Sequence, residues 1–336
     1  MNKKAILKSQ RTGEAFYRDR LTKDEIEFYE LLLDGLIRCE PSIPYKNLEI
    51  KQIERIYEAL RLEEPLLFFV EKISCQHLPV LRCGSVIPQY RFPKDKVQAT
   101  TDAIQTKLEE ISRKLYGKSE YEKEMFIHDF VCKSVKYDYA FKESSFECVG
   151  PLLFGKGVCE GISKATKLIF NAVGISSIIV HGKSSEQQIN GTIGDSHAWN
   201  IVKINGLHYH VDFTFDLSVM VFDVLRYDYF NLSDKEIASS HIYDRTFYPR
   251  CNTSKDYYAD NGMYIQKKSL FESYLEKKIR CGERNILFKL PHVADFRNAR
   301  ENVFNITRQC IAKYGGSVQY QFSYNEDQRV FLLHVE

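Results

Sequence analysis

The sequence predicts an α+β protein, on three observations. Helical periodicity recurs in several segments, some of them opened by a capping signal. Short runs rich in β-branched and aromatic residues lie between turn residues. Asn205-Gly206, flanked by apolar runs, marks a hairpin, because a type I′ turn needs positive φ at both central positions. The 336 residues exceed what one core needs, so two or three domains are expected. The elements sort into a mainly helical region at 14–117, a mixed core at 118–258 and a small α+β unit at 264–336.

In the first region, Thr22-Lys23-Asp24-Glu25 has the form of a capping box and precedes Ile26, Tyr29, Leu32, Leu33, Leu36 and Ile37 at helical spacing. A second helix fits 48–62. Short strands fit 66–70 and 85–90, the latter weakened by Pro88. A third helix fits 95–115 and closes at Gly117. In the core, Ser119 and Glu122 form another capping box, opening a helix through 137, and a second helix runs from Cys159 to 173 and stops at Gly174. Strands fit 176–181, 196–204 and 207–213, and the polar stretch 182–194 reads as an exposed loop. The last unit reads as a strand at 286–290, a helix at 295–314 broken by Gly315-Gly316, and a hairpin at 318–324 and 330–335. It carries no recognisable chemistry.

Composition bounds the partners. The chain is 44% apolar, 13% aromatic and 27% charged, with a net charge of +2, so neither nucleic acid nor membrane is expected as a partner. After Met-Asn-Lys-Lys the apolar run is only Ala5 to Leu7, short of a secretory signal core, and no stretch approaches a membrane span. The nine cysteines have no CxxC spacing and read as reduced thiols, so a cytoplasmic location is expected.

One constellation carries chemistry. Cys159 lies in Gly155-Lys156-Gly157-Val158-Cys159-Glu160-Gly161 at a predicted helix start, where the dipole favours a thiolate and the backbone N–H is a natural oxyanion donor. His197 and Asp212 lie on the two hairpin strands. A two-residue turn pairs Ile204 with Leu207, which sets Trp199 opposite Asp212 and His197 one diagonal step away. His197, Trp199, His208, His210 and Asp212 then share a polar face, and Ala198, Val202, Ile204, Leu207, Tyr209, Val211 and Phe213 form the core face. Asp216, a rival for the carboxylate, falls beyond the strand's expected end. Other readings compete. Any one cysteine is most simply a buried apolar residue. His197, His208 and His210 are weighed as zinc ligands, but no carboxylate or cysteine with metal spacing accompanies them. Gly150-x4-Gly155-Lys156 imitates a phosphate loop but lacks the hydroxyl after the lysine.

These motifs resemble the transglutaminase-like superfamily of papain-like cysteine enzymes. The resemblance rests on the Cys159 segment, on His197-Ala198-Trp199-Asn200 and on His208-Tyr209-His210-Val211-Asp212. It extends through Glu64-Pro65, Ile127-His128-Asp129, Tyr137-Asp138-Tyr139 and Tyr229-Phe230-Asn231-Leu232-Ser233, as in a bacterial group with a helical N-terminal region. Ile162 stands where an aromatic is usual, Thr214-Phe215-Asp216 where Thr-Trp-Asp is usual, and Val149-Gly150 where Tyr-Gly is common. The resemblance implies a papain-like core with Cys159 as nucleophile, His197 as base and acid, and Asp212 as the orienting residue. It implies no cofactor or metal, and a protein or peptide substrate. Trp199, His210, Tyr137, Tyr139 and Gly157 are the expected cleft residues. Hydrolysis is favoured over amine transfer, since nothing marks an acceptor-amine site, and an inactive peptide-binding module is the alternative.

Overall fold

The computed structural model describes residues 15–184, 187–188, 192–193, 196–292, 295–313 and 319–336. Residues 1–14, six residues of the expected loop at 182–194 and Gly315-Gly316 fall outside that set; within that loop, 182–184 instead extend strand Ser177–Ser184, and Gln187–Gln188 pairs with Thr192–Ile193. Helix Lys23–Ile37 forms behind its capping box, with the Thr22 N–H 2.8 Å from Glu25 Oε2. Helix Ile50–Glu63 packs against it. Beside them is a three-stranded antiparallel sheet in the order Ile43–Lys46, Cys83–Tyr90, Val70–Leu78. The strand expected at 66–70 is instead a 3-10 turn, Pro65–Leu67, and the strand begins at Val70. Proline presets helical φ at that turn, and Leu66, Leu67, Phe68 and Phe69 are all buried. Pro88 is accommodated because its strand is paired on one side only there: Ile43–Lys46 ladders with Cys83 to Val86 and stops.

The central layer is helix Cys159–Ala172 lying on a four-stranded antiparallel sheet. Its order is Leu207–Val211, Ser196–Ile204, Ser177–Ser184, His241–Ile242. Helices Lys94–Lys114 and Glu120–Ser134 pack on the other sides of the central helix. From Gly161 to Asn171 every residue of that helix is buried, Lys164 and Lys167 included. A buried ammonium needs a full set of acceptors. Lys164 reaches Glu147 at 2.8 Å and Glu160 at 2.9 Å, and Lys167 reaches the Ser177 carbonyl at 2.7 Å and Glu63 at 3.4 Å.

The hairpin has the register read from its turn, from Ile204 opposite Leu207 to Asn200 opposite Val211, with Asn205 at φ 50° and Gly206 at φ 83°. Two expectations are corrected. The second strand ends at Val211, and Asp212 caps the short helix Phe213–Ser218. Trp199 and His210, expected in the cleft, are instead covered by the segment 226–258, which leaves them 1% and 0% exposed. The opposite face meets the helix, as the Asn200 side chain shows by donating to the Ser163 carbonyl at 3.1 Å.

One hydrophobic cluster runs from Phe16 to Tyr258 and takes in Val330 of the last unit, so the N-terminal helices and the central layer share a core. A second cluster, from Ile265 to Leu333, holds the last unit, whose antiparallel sheet has the order Asn285–Lys289, Val330–Val335, Tyr320–Asn325. Asn325 donates to Asp228 at 3.0 Å and Gln328 to Ser239 at 3.1 Å, docking that hairpin on the core. No described helix is long and apolar enough to cross a membrane.

Gly161 shows how tightly the helix start is seated. A Cβ there would lie 2.2 Å from the Ser145 carbonyl oxygen. Gly161→Ala should therefore lower unfolding stability by roughly 1–3 kcal/mol in a denaturant titration. An unchanged midpoint would show that this contact is slack.

Candidate active site

Cys159 is the first residue of its helix and is half-buried. The first helical bond runs from the Ile162 N–H to the Val158 carbonyl, so the helix does not consume the N–H groups before it. The residues leading in are clamped. Lys156–Gly157 pairs in parallel with Lys136–Tyr137, and the Val158 N–H donates to Ser145 O at 2.9 Å. Gly157 is buried behind the nucleophile position and does not line the cleft; a Cβ there would lie 2.6 Å from the Pro151 ring. All nine cysteines are free, and Cys159 alone lines the cleft.

His197 sits near the start of strand Ser196–Ile204. Its Nε2 is 2.6 Å from Asp212 Oδ2, and the Cys159 thiol is a further hydrogen-bond partner of the ring. With Nε2 held by the carboxylate, Nδ1 is the nitrogen left for sulfur. Burial disfavours the charged ring, but the adjacent Asp212 outweighs it and, with Cys159, raises His197 to about 10. Burial likewise works against the Asp212 carboxylate, yet the His197 charge and the N–H donors hold it well below the usual range. Asp212 Oδ1 accepts the Phe215 N–H at 3.0 Å.

A fourth residue completes this group. His241 Nε2 is 2.9 Å from the same Asp212 Oδ2, and its Nδ1 is 2.8 Å from Ser240 Oγ. No local pattern in the sequence marks His241. It lies on a two-residue edge strand that reaches Asp212 only through sheet pairing with Lys183 and Ser184.

Trp199 and His210 are placed differently from the expectation. Neither lines the cleft. Trp199 stacks behind His197, with ring centroids 5.8 Å apart and planes 19° from parallel. Its Nε1–H donates to His210 Nδ1 at 3.0 Å. An indole N–H only donates, so His210 Nδ1 is the acceptor and Nε2 carries the proton toward Asp234 at 3.1 Å. Burial pushes His210 below its ordinary value, consistent with a neutral link in this chain. The weighed zinc set needs His197, His208 and His210 to converge, whereas His210 spends both nitrogens here. Two other described groups, His197/Asp212/His241 and His210/Asp234/Cys251, are compact enough for a metal, but the histidine nitrogens that would face it point at carboxylates as hydrogen-bond donors. Asp216 points away from His197: it accepts the Tyr229 N–H at 2.8 Å and lies 3.3 Å from His128 Nε2. The phosphate-loop imitation is a packed helical turn, Gly150–Phe154, in which a Cβ on Gly150 would strike two backbone carbonyls.

The cleft is a cavity of about 350 Å³. Tyr137, Phe141 and Phe146 give it an aromatic lining, and Glu160, His181, Ser184 and Ser196 line it with Cys159 and His197. Tyr139, 64% exposed, packs obliquely on Tyr137 outside the lining. A larger cavity, about 670 Å³, lies at the seam with the last unit and contains none of these residues.

A thiol at a helix start, an imidazole beside it and a buried carboxylate behind define the class of papain-like thiol–imidazole–carboxylate sites. Residues 109–213, which include Cys159, His197 and Asp212, match the model of the transglutaminase-like superfamily, so this region of the chain is transglutaminase-like. Two solved structures are similar. One, a candidate cysteine protease from Cytophaga hutchinsonii, is 16% identical over 43% of this chain and 61% of its own, with a TM-score of 0.29. The other, a TGase, is 16% identical over 59% of this chain and 54% of its own, with a TM-score of 0.30. The likeness thus spans less than two thirds of either relative. Comparison with curated proteins gave no match.

If Asp212 raises the His197 ring, Asp212→Asn should drop that ring toward its ordinary value of about 6.5, read by NMR titration of ring nitrogens. The folded value lies above the unfolded one. The imidazolium therefore adds stability that is complete below about pH 6.5 and lost as pH rises through about 10. Asp212→Asn should flatten that alkaline decline, and an unchanged decline would mean that another group sets it.

Proposed function

We propose that the protein is a cysteine acyl-transfer enzyme acting on peptide or glutamine amides. The observation that carries this reading is His197 bridging a buried carboxylate and a thiol in an open cleft. The Cys159 proton passes to His197 Nδ1, and sulfur attacks the amide carbon. Charge develops on the carbonyl oxygen beside the Cys159 N–H and the positive helix end. His197 then protonates the leaving nitrogen, the C–N bond breaks and a thioester remains. Water, losing a proton to His197, attacks the thioester; the C–S bond breaks and the proton returns to sulfur. An amine in place of water would give transfer.

Hydrolysis is the favoured second half. Glu160 is the sole carboxylate among the described lining residues, and it is already paired with Arg61 at 2.8 Å and Lys164 at 2.9 Å. Among the described lining residues there is therefore no unpaired anion to draw a lysine ammonium. The aromatic wall favours a peptide with an apolar side chain next to the reacting amide. Phe141 stands at φ 48°, a strained setting for a bulky residue, and Asp138 holds its loop by accepting the Ala140 and Lys142 N–H groups at 3.2 Å and the Ser145 hydroxyl. Exposed rings fixed beside a nucleophile gain burial only when a ligand covers them.

Cys159 should be alkylated by iodoacetamide near neutral pH faster than the other eight cysteines, and Cys159→Ser should abolish turnover while keeping the fold. Equal reactivity of all nine would leave the peptide-binding module as the better reading. Among peptidyl chloromethyl ketones, one with phenylalanine beside the warhead should label Cys159 roughly 10- to 100-fold faster than one with aspartate, on the scale of burying one apolar side chain. Phe146→Ala should shrink that ratio; a ratio near one in the unaltered protein would remove the aromatic wall from specificity.

A further inference from the structure

Two imidazoles converge on one carboxylate oxygen. His197 and His241 both direct Nε2 at Asp212 Oδ2, at 2.6 and 2.9 Å. Only His197 borders the cleft. His241 is 2% exposed and enclosed by rings: Phe215 at 4.6 Å, Trp199 at 4.7 Å, His197 at 5.3 Å and Tyr229 at 5.8 Å between centroids. It touches no substrate space, so packing alone would be met as well by leucine or phenylalanine. A histidine there instead needs two polar partners, and both are supplied. The fully buried Ser240 hydroxyl lies 2.8 Å from Nδ1; donating to it, the hydroxyl leaves the proton on Nε2, facing Asp212. Burial keeps the ring below its ordinary value, which suits a neutral donor.

The backbone is shaped to seat it. The strand His241–Ile242 lies against Gly182, where a Cβ would come 2.4 Å from the Ile242 carbonyl oxygen and 2.7 Å from the Trp199 ring. A side chain at 182 would push the edge strand outward, away from Asp212. Asp212 has few other restraints. Its backbone stands just past the strand end, its terminal torsion is broad, and its remaining side-chain partner is the Phe215 N–H on the other oxygen.

We propose that His241 is a positioning residue for the proposed reaction: its neutral N–H anchors Asp212 Oδ2 in the plane of the His197 ring, so that the carboxylate keeps its full hold on the imidazolium that pairs with the Cys159 thiolate. The inference rests on the reading of Cys159 as the nucleophile. The ionisable groups that face His241 are Asp212 and His197, with His210 beyond the Trp199 ring and the Tyr229 ring alongside. Without the anchor, Asp212 turns, the imidazolium loses support, and the thiolate forms only at higher pH.

The test is the pH dependence of Cys159 alkylation by iodoacetamide, read residue by residue by mass spectrometry on the full chain. In His241→Leu the acid limb should move to higher pH and the rate near neutral pH should fall about 10- to 100-fold, the scale on which partners behind a working imidazole act. His241→Gln, which keeps an N–H donor, should recover most of the rate. Ser240→Ala, which keeps the ring and changes little volume, should move the limb in the same direction because the tautomer is no longer fixed. A folded His241→Leu with the unaltered profile overturns the proposal. If that variant does not fold, an unaltered profile in Ser240→Ala overturns it equally. The unaltered protein separates the two readings: absence of a selectively reactive Cys159 refutes the nucleophile, whereas a reactive Cys159 indifferent to residues 240 and 241 refutes only the anchor.

Discussion

The site depends on keeping one carboxylate ionised where water does not reach. Asp212 is 1% exposed, and a buried charge is tolerated only when donors fill its lone pairs. Three donors do so, and they come from three places: His197 on a central strand, the Phe215 N–H in the helical turn that Asp212 itself opens, and His241 on the sheet's far edge. Satisfying Asp212 therefore ties the hairpin, the turn after it and a strand 29 residues downstream into one arrangement. The same arrangement sets the charge of His197, because the carboxylate that needs the donors is what raises the ring.

The second constraint is the placement of the thiol. Apart from Ala172 at the far end, only Cys159 and Glu160 of helix Cys159–Ala172 reach solvent, since every residue from Gly161 to Asn171 is enclosed. Burial on all sides leaves the helix little freedom to slide, and Lys164 and Lys167 pin it through ion pairs with Glu147 and Glu63. Ser145 O accepts the Val158 N–H, so the loop that carries Phe141 and Phe146 is registered on the residue before the nucleophile. Thiol, imidazole and aromatic wall are thereby set by packed backbone and not by flexible side chains.

Legibility in the sequence followed the range of the interactions. The hairpin register was readable because Asn205 and Gly206 can both take positive φ, a local property. That register brought His197 near Asp212 and left Asp216 aside, although Asp212 proved to be a helix cap and not a strand residue. At 66–69 four consecutive buried apolar residues suit a 3-10 turn against the core as well as a strand, so pattern alone does not separate the two. For Trp199 and His210, alternation shows which face each residue takes but not what covers that face. The segment 226–258 covers it and converts both residues into a buried chain ending at Asp234.

By itself the sequence determined the order and type of the central elements, the thiol at a helix start and the pairing of His197 with Asp212. Each of these follows from capping, turn and alternation rules that act over a few residues. Tertiary structure alone decided that the sheet is sealed on both faces, that the wall of the cleft is Tyr137, Phe141 and Phe146, and that His241 joins Asp212. Those outcomes depend on distant segments arriving at one place, and the pattern along a single segment carries no trace of its distant partners.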